Sequence, residues 1–183
     1  MMIKVCGITR REDAQAAVEA GASALGFIFY PKSPRYVTPE AAAALAEGLA
    51  TLKVGVFVDE SPAAIESVMR AAKLDVAQIY GDAIPENTRV WKAFRPAASV
   101  ATDGAEAILL DGPANGISFN WAVARDLNHK VIVAGGLDAS NVADAIRIAK
   151  PWGVDASSKL ESAPGIKDHQ KIRAFVKAAQ EAK

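Results

Sequence analysis

The chain is poor in the residues that build disulfides and metal sites, with one cysteine and two histidines among 183 residues. A lone thiol can form no internal disulfide, which fits a reducing, cytoplasmic setting. No His/Cys/carboxylate cluster has metal-ligand spacing, and no Gly-x-Gly-x-x-Gly turn points to a dinucleotide. Charge of one sign is also lacking, since Lys plus Arg and Asp plus Glu both number 21. That balance speaks against a nucleic-acid or membrane surface, both of which reward a basic excess. No apolar run approaches the roughly 20 residues that span a bilayer. Met1-Met2-Ile3-Lys4-Val5-Cys6 reads as a strand, not as a leader with a basic region and an apolar stretch.

What is there is alternation. Short apolar, β-branched runs at Met2–Cys6, 24–29, 53–58, Val76–Ile79, Val90–Phe94, Ala107–Asp111, Val131–Ala134 and 153–157 are each followed by turn residues. They lack polar alternation, as expected of parallel strands buried on both faces. Between most of them lie Ala-rich amphipathic stretches. Thr9-Arg10-Arg11-Glu12 has capping-box spacing, and Thr38-Pro39 and Ser61-Pro62 place an N-cap before a first-turn proline. Apolar faces follow at Leu45 and Leu49; Ile65, Val68 and Met69; Val142 and Ile146; and Ile172, Phe175 and Val176. Eight βα repeats with right-handed crossovers predict an α/β fold, a single compact (β/α)8 barrel domain over residues 1–183. Such barrels rarely fall below about 200 residues. The connections Gly81–Arg89 and Arg95–Glu106, rich in Pro, Gly, Asn and Asp, are too short for a helix and its return. The fourth and fifth helices are therefore expected to be shortened or absent.

Active sites of this architecture form on the loops after the strands. Those exits read Cys6-Gly7, Phe29-Tyr30-Pro31, Asp59, Tyr80-Gly81-Asp82, Arg95, Asp111-Gly112, Gly135-Gly136 and Ser157-Ser158. Free cysteine commonly fills space in a core, and aspartate at a strand exit commonly caps a turn. On one barrel mouth the pair also supplies a base and an acid, the thiol acting as base where positive charge or amide dipoles lower its pKa. Gly-Gly and Ser-Ser at the seventh and eighth exits stand where many barrels bind phosphate through backbone N–H groups. Arg35 lies in a loop stiffened by Pro31 and Pro34, where a restrained guanidinium can grip a carboxylate. His129 and His169 sit away from the exits and receive no catalytic role.

These residues together resemble the phosphoribosylanthranilate isomerase family of tryptophan biosynthesis, across essentially the whole chain. The most specific segments are Lys4-Val5-Cys6-Gly7-Ile8-Thr9 and Ser33-Pro34-Arg35-Tyr36-Val37. Val54-Gly55-Val56-Phe57-Val58, Ala134-Gly135-Gly136-Leu137 and Pro164-Gly165-Ile166-Lys167-Asp168 add to them. The resemblance implies a cofactor-free, cytoplasmic isomerase acting on a small phosphorylated substrate, N-(5-phosphoribosyl)anthranilate, by an Amadori rearrangement. It implies Asp111 as general acid, Cys6 as general base, and Arg35 as holder of the anthranilate carboxylate. Gly135, Gly136, Ser157 and Ser158 would cradle the phosphate, and Gln78 and Tyr80 would line the substrate site.

Three segments depart from the family pattern. Gln78-Ile79-Tyr80-Gly81 carries tyrosine where the family usually has histidine, a change expected to alter packing around the aromatic part of the substrate. Gly112-Pro113-Ala114-Asn115-Gly116-Ile117-Ser118 replaces a more glycine-rich phosphate loop. Ser157-Ser158-Lys159-Leu160-Glu161 has Lys159 in place of a glycine, adding a charge near the phosphate. Two alternatives follow from these departures: a related sugar-phosphate isomerase or lyase barrel, and a barrel that binds a phosphoribosyl ligand without turnover. Shortened helices would leave barrel wall to be covered by loops or a second copy, so monomer and homodimer both fit the sequence.

Overall fold

The computed structural model describes residues 1–82, 84–95, 100, 102–112 and 120–182. Eight parallel strands close into a barrel: β1 (Met2–Cys6), β2 (Ala24–Ile28), β3 (Leu52–Phe57), β4 (Val76–Ile79), β5 (Val90–Phe94), β6 (Ala107–Asp111), β7 (Val131–Ala134) and β8 (Gly153–Ala156). β8 pairs back onto β1 with Lys4 opposite Asp155. The strands lie where the apolar runs predict them. β2 and β8 end one residue early, and β3 is displaced by one residue toward the N-terminus.

Helices α1 (Arg11–Ala20), α2 (Pro39–Ala46), α3 (Pro62–Ala71), α4 (Val142–Ala149) and α5 (His169–Glu181) cover the wall. Thr38 and Ser61 cap α2 and α3, their hydroxyls accepting from the amides of Ala41 and Ala64. The capping box expected at Thr9 does not form. Arg10 occupies the N-cap of α1 without a side-chain bond, and the Thr9 hydroxyl donates instead to the Gly165 carbonyl. A long-range tie to the last loop competes for the same hydroxyl and wins.

Among the described residues no helix lies between β4 and β5 or between β5 and β6, as the short connections predict. The sixth helix is also reduced, to a 3₁₀ segment at Trp121–Asp126, which the sequence reading did not anticipate. A two-stranded hairpin, β9 (Glu161–Ala163) and β10 (Ile166–Lys167), precedes α5. It too was not foreseen. No helix among the described residues is long and apolar enough to cross a membrane.

Two apolar layers follow from the pleat, because alternate side chains of a barrel strand face opposite sides. Ile3, Val5, Leu25, Phe27, Ile108 and Val133 point outward against the helices. Met2, Ala24, Val54, Val76, Trp91, Leu109 and Ile132 fill the interior. Trp91 is fully buried and meets Trp152 edge to face at 5.8 Å. The lower barrel is therefore solid, and the polar residues of the same inward positions collect at its mouth.

Candidate active site

Cys6 ends β1 on an inward position and is buried. Its side chain rests on Gly26 of β2, where an added Cβ would fall 2.6 Å from Sγ. The chain then turns through Gly7 at φ +74°, a conformation that favours glycine. A side chain at Gly7 would meet Arg35 Cδ at 2.6 Å and Ser157 Oγ at 3.0 Å. The glycine thus lets the Arg35 loop and the end of β8 close over the cysteine. The 29–37 loop is held by more than its prolines. Ser33 and Tyr36 amides donate to the Tyr30 and Ser33 carbonyls, and Val37 donates to Ile28.

Asp111 ends β6 on the same mouth and accepts a 2.9 Å hydrogen bond from the Tyr80 hydroxyl on its Oδ2. Gln78 reaches the phenol oxygen through a long 3.4 Å contact from Nε2. Burial pushes the Asp111 carboxyl above its ordinary range; Tyr80, Lys4 and Arg95 oppose the shift without cancelling it. Burial likewise drives the Tyr80 phenol well above 10, so it remains a donor. The Cys6 thiol is pushed up by burial as well, while Lys4 and Lys167 pull it down. The condition set for a thiol base, a lowered pKa, is thus not met by the neighbouring ammonium groups alone: desolvation outweighs them.

Arg35 is engaged. Its Nε and Nη2 donate to Glu161 Oε1 and Oε2, both at 2.7 Å, in the bidentate geometry suited to a carboxylate. Among the described residues the guanidinium bonds of Arg35 run through Nε and Nη2 alone. Glu161 also receives Lys167 Nζ at 2.9 Å, and that ammonium donates to the Ser157 carbonyl at 3.1 Å. Burial pushes the Glu161 carboxyl up, but Arg35 and Lys167 outweigh it and hold the group below its usual value.

Behind Cys6, Lys4 is fully buried and pairs with Asp155 of β8 at 2.8 Å. Burial disfavours the ammonium, but Asp155 and Cys6 more than offset this and hold its pKa above the ordinary value.

The glycine turn after β7 lies against the exit of β6. Gly135 has φ +86°, and a Cβ there would collide with the backbone N and Cα of Gly112. Asn141 ties this turn down, donating to the Gly136 carbonyl at 2.9 Å and accepting from the Asp138 amide at 2.9 Å. Ser157 leads into a 3₁₀ turn at Ser158–Leu160 that leaves Ser158 and Lys159 exposed. The altered segment after Asp111 lies, beyond Gly112, outside the described residues.

Cys6, Arg35, Tyr80, Asp111, Gly135 and Ser157 are thus gathered at one mouth. The histidines stay outside it: His129 contacts the Ala105 carbonyl and His169 pairs with Asp13. Sequence reading missed Lys4, Asp155, Glu161, Lys167 and Asn141. For Lys4 and Asp155 a signal existed, since a charge inside a strand buried on both faces requires a partner. Among the described residues no three His, Cys, Asp or Glu side chains form a group able to hold a metal.

Comparison with known proteins agrees with this fold. Residues 3–178 match the family model for N-(5'-phosphoribosyl)anthranilate isomerase. The Solibacter usitatus protein of that name is 53% identical over 197 aligned positions, covering 100% of this chain and 98% of its own. A crystal structure of phosphoribosyl anthranilate isomerase from Thermus thermophilus superposes with a TM-score of 0.90 at 37% identity, covering 100% of both chains. Another solved phosphoribosyl anthranilate isomerase, in complex with reduced 1-(o-carboxyphenylamino)-1-deoxyribulose 5-phosphate, gives a TM-score of 0.87 at 36% identity over 99% of each chain. With its fold and its full-length similarity in agreement, the chain belongs to the N-(5'-phosphoribosyl)anthranilate isomerase family.

Proposed function

We propose that the protein catalyses the Amadori rearrangement of N-(5-phosphoribosyl)anthranilate to 1-(2-carboxyphenylamino)-1-deoxyribulose 5-phosphate, a cytoplasmic step of tryptophan biosynthesis. The observation that carries this reading is the meeting of Cys6 and Asp111 at one mouth, with Asp111 displaced toward its acid form. Asp111 protonates the ribose ring oxygen as the C1–O bond breaks, and the anthranilate nitrogen lone pair forms the C1=N bond of a cationic imine. Cys6 then removes the C2 proton. The C2–H electrons become the C1=C2 bond of an enolamine and neutralise the nitrogen, and transfer of the C2 hydroxyl proton to C1 gives the ketone. Each proton transfer by a positioned group contributes about 10²–10⁴-fold.

The upward shift of Cys6 does not defeat this role. A buried thiolate is costly alone, but the imine cation forms beside it, and Lys4 and Lys167 already oppose the burial effect. Arg35 presents its remaining N–H edge to the anthranilate carboxylate while Glu161 fixes its orientation. Gln78 lies in the floor under the substrate, and the Gly135-Gly136 and Ser157-Ser158 turns receive the phosphate. The family member solved with a reduced product analogue binds a ligand with these same groups, a carboxyphenylamine and a 5-phosphate.

The test is loss of substrate fluorescence in wild type, Cys6→Ser and Asp111→Asn. Each variant is expected to fall at least about 100-fold in kcat. Wild type no faster than the variants would sink the assignment, and ligand binding without turnover would identify a binding barrel instead.

A further inference from the structure

Tyr80 stands where the sequence pattern departs from the family, and its hydroxyl has a specific partner. It is partly buried against the barrel interior, donates to Asp111 Oδ2 at 2.9 Å, and has Gln78 Nε2 at 3.4 Å from its oxygen. A phenol has one proton, and an ionised carboxylate can only accept. That proton is therefore directed to Asp111, and the Gln78 amide turned toward the phenol presents its N–H side. We propose that Tyr80 is a positioning residue for the general acid: it holds Oδ2 of Asp111, so that the proton delivered to substrate is carried on Oδ1. This rests on the reading of Asp111 as the acid. It differs from the expectation that Tyr80 shapes the pocket for the aromatic ring, because the hydroxyl acts on the enzyme's own carboxylate and not on the ligand.

The geometry explains how tyrosine serves at this exit. A neutral donor fixes the carboxyl without adding the positive charge that would hold it ionised, and burial keeps the phenol protonated throughout. The other groups facing Asp111 are charged or become so: Lys4 from β1, Arg95 after β5, and Asp155 from β8, while Cys6 from β1 faces the phenol. Without the phenol, both carboxyl oxygens compete for the acid proton, and the side chain is free to turn toward Lys4 or Arg95.

The experiment compares wild type, Tyr80→Phe and Tyr80→His by steady-state kinetics and by ¹³C-carboxyl NMR titration of Asp111 in the ligand-free protein. Removing a hydrogen bond to the ionised form raises a carboxyl pKa. The Asp111 titration should therefore move to higher pH in Tyr80→Phe, and its limb of the rate profile should move the same way. A hydrogen bond to a charged group supports an effect of about 10-fold on kcat, with KM near wild type because the hydroxyl does not touch substrate. Tyr80→His, which restores a ring donor, should recover part of both. A raised KM with kcat and the Asp111 titration unchanged would overturn the proposal and return Tyr80 to the substrate wall. So would a histidine variant in which Asp111 titrates no differently from its state in Tyr80→Phe. The NMR titration needs no turnover, so it separates failure of this inference from failure of the isomerase assignment, which shows only in wild-type activity.

Discussion

At the scale of single residues, burial acts on Asp111 and Cys6 in one direction and on their roles in opposite ones. Each is pushed toward its neutral form; for the aspartate that is the acid the proposed first step would use, whereas for the cysteine it is the conjugate of the base the proposed second step would need. Two lysines on the cysteine side oppose its shift without cancelling it, and a phenol holds the carboxyl on the aspartate side. Glycine supplies the remaining precision, and Gly135 is the sharpest case. Its φ of +86° and its contact with the Gly112 backbone tie the turn after β7 to the exit of β6, one residue from Asp111. Gly48, at φ +70° with nothing within 4 Å of an added Cβ, provides the control. Gly48→Ala is expected to lose about 1–2 kcal/mol of stability, the cost of left-handed backbone, and to keep wild-type kcat/KM. Gly135→Ala is expected to lose more than about 10-fold in kcat/KM, because Gly112 must move. Denaturant titration and steady-state kinetics on both variants check this, and equal activity losses would refute the coupling of Gly135 to the exit of β6.

At the scale of elements, the strands and most helices were legible because their signals are local. An apolar run with no polar alternation, bounded by turn residues, has few conformations other than a buried parallel strand. Cys6, Asp111 and the Gly135-Gly136 turn were legible for the same reason, since each stands at a strand end that the run itself marks. What escaped was non-local. Thr9 carries a capping-box pattern, yet its hydroxyl bonds Gly165, far along the chain. Glu161 shows nothing in sequence of its hold on Arg35. The shrinkage of the sixth helix to a 3₁₀ segment was hidden because Trp121–Asp126 retains helix-forming residues. The Lys4–Asp155 pair is the most consequential omission, for it joins the first and last strands inside the closed barrel. Removing one partner of a buried pair leaves an uncompensated charge at about 3–5 kcal/mol, whereas apolar replacement of both is often neutral. Lys4→Met is thus expected to destabilise the barrel by that amount, and Lys4→Met with Asp155→Leu to recover most of it. Chemical denaturation of the two variants measures the difference. If the double variant were as unstable as the single, the cost would lie in packing and not in the stranded carboxylate.

At the scale of the whole molecule, closure of the barrel places the exit of β8 beside the first strand and its cysteine, with the exit of β7 next to it, so that the two proposed phosphate turns adjoin. The same closure means that a ligand at the mouth bridges strands from both ends of the chain, and an unfolded chain offers no equivalent site. Binding confined to the folded state adds RT ln(1 + [L]/Kd) of stability, about 2.7 kcal/mol when ligand exceeds Kd 100-fold. For a chain of this length each kcal/mol raises Tm by roughly 2–4 °C, so saturating inorganic phosphate should raise Tm by about 5–10 °C. Phosphate should compete with substrate over the same concentration range, since both would occupy the Gly135-Gly136 and Ser157-Ser158 turns. Non-specific anion effects are separated by chloride at matched ionic strength and by Gly135→Ala, in which the displaced turn should bind phosphate weakly and show a smaller shift. Thermal unfolding by circular dichroism, run beside inhibition kinetics, reads both quantities. A wild-type Tm indifferent to phosphate, or a shift as large in Gly135→Ala, would remove the phosphate from these two turns while leaving the acid and base of the mouth untouched.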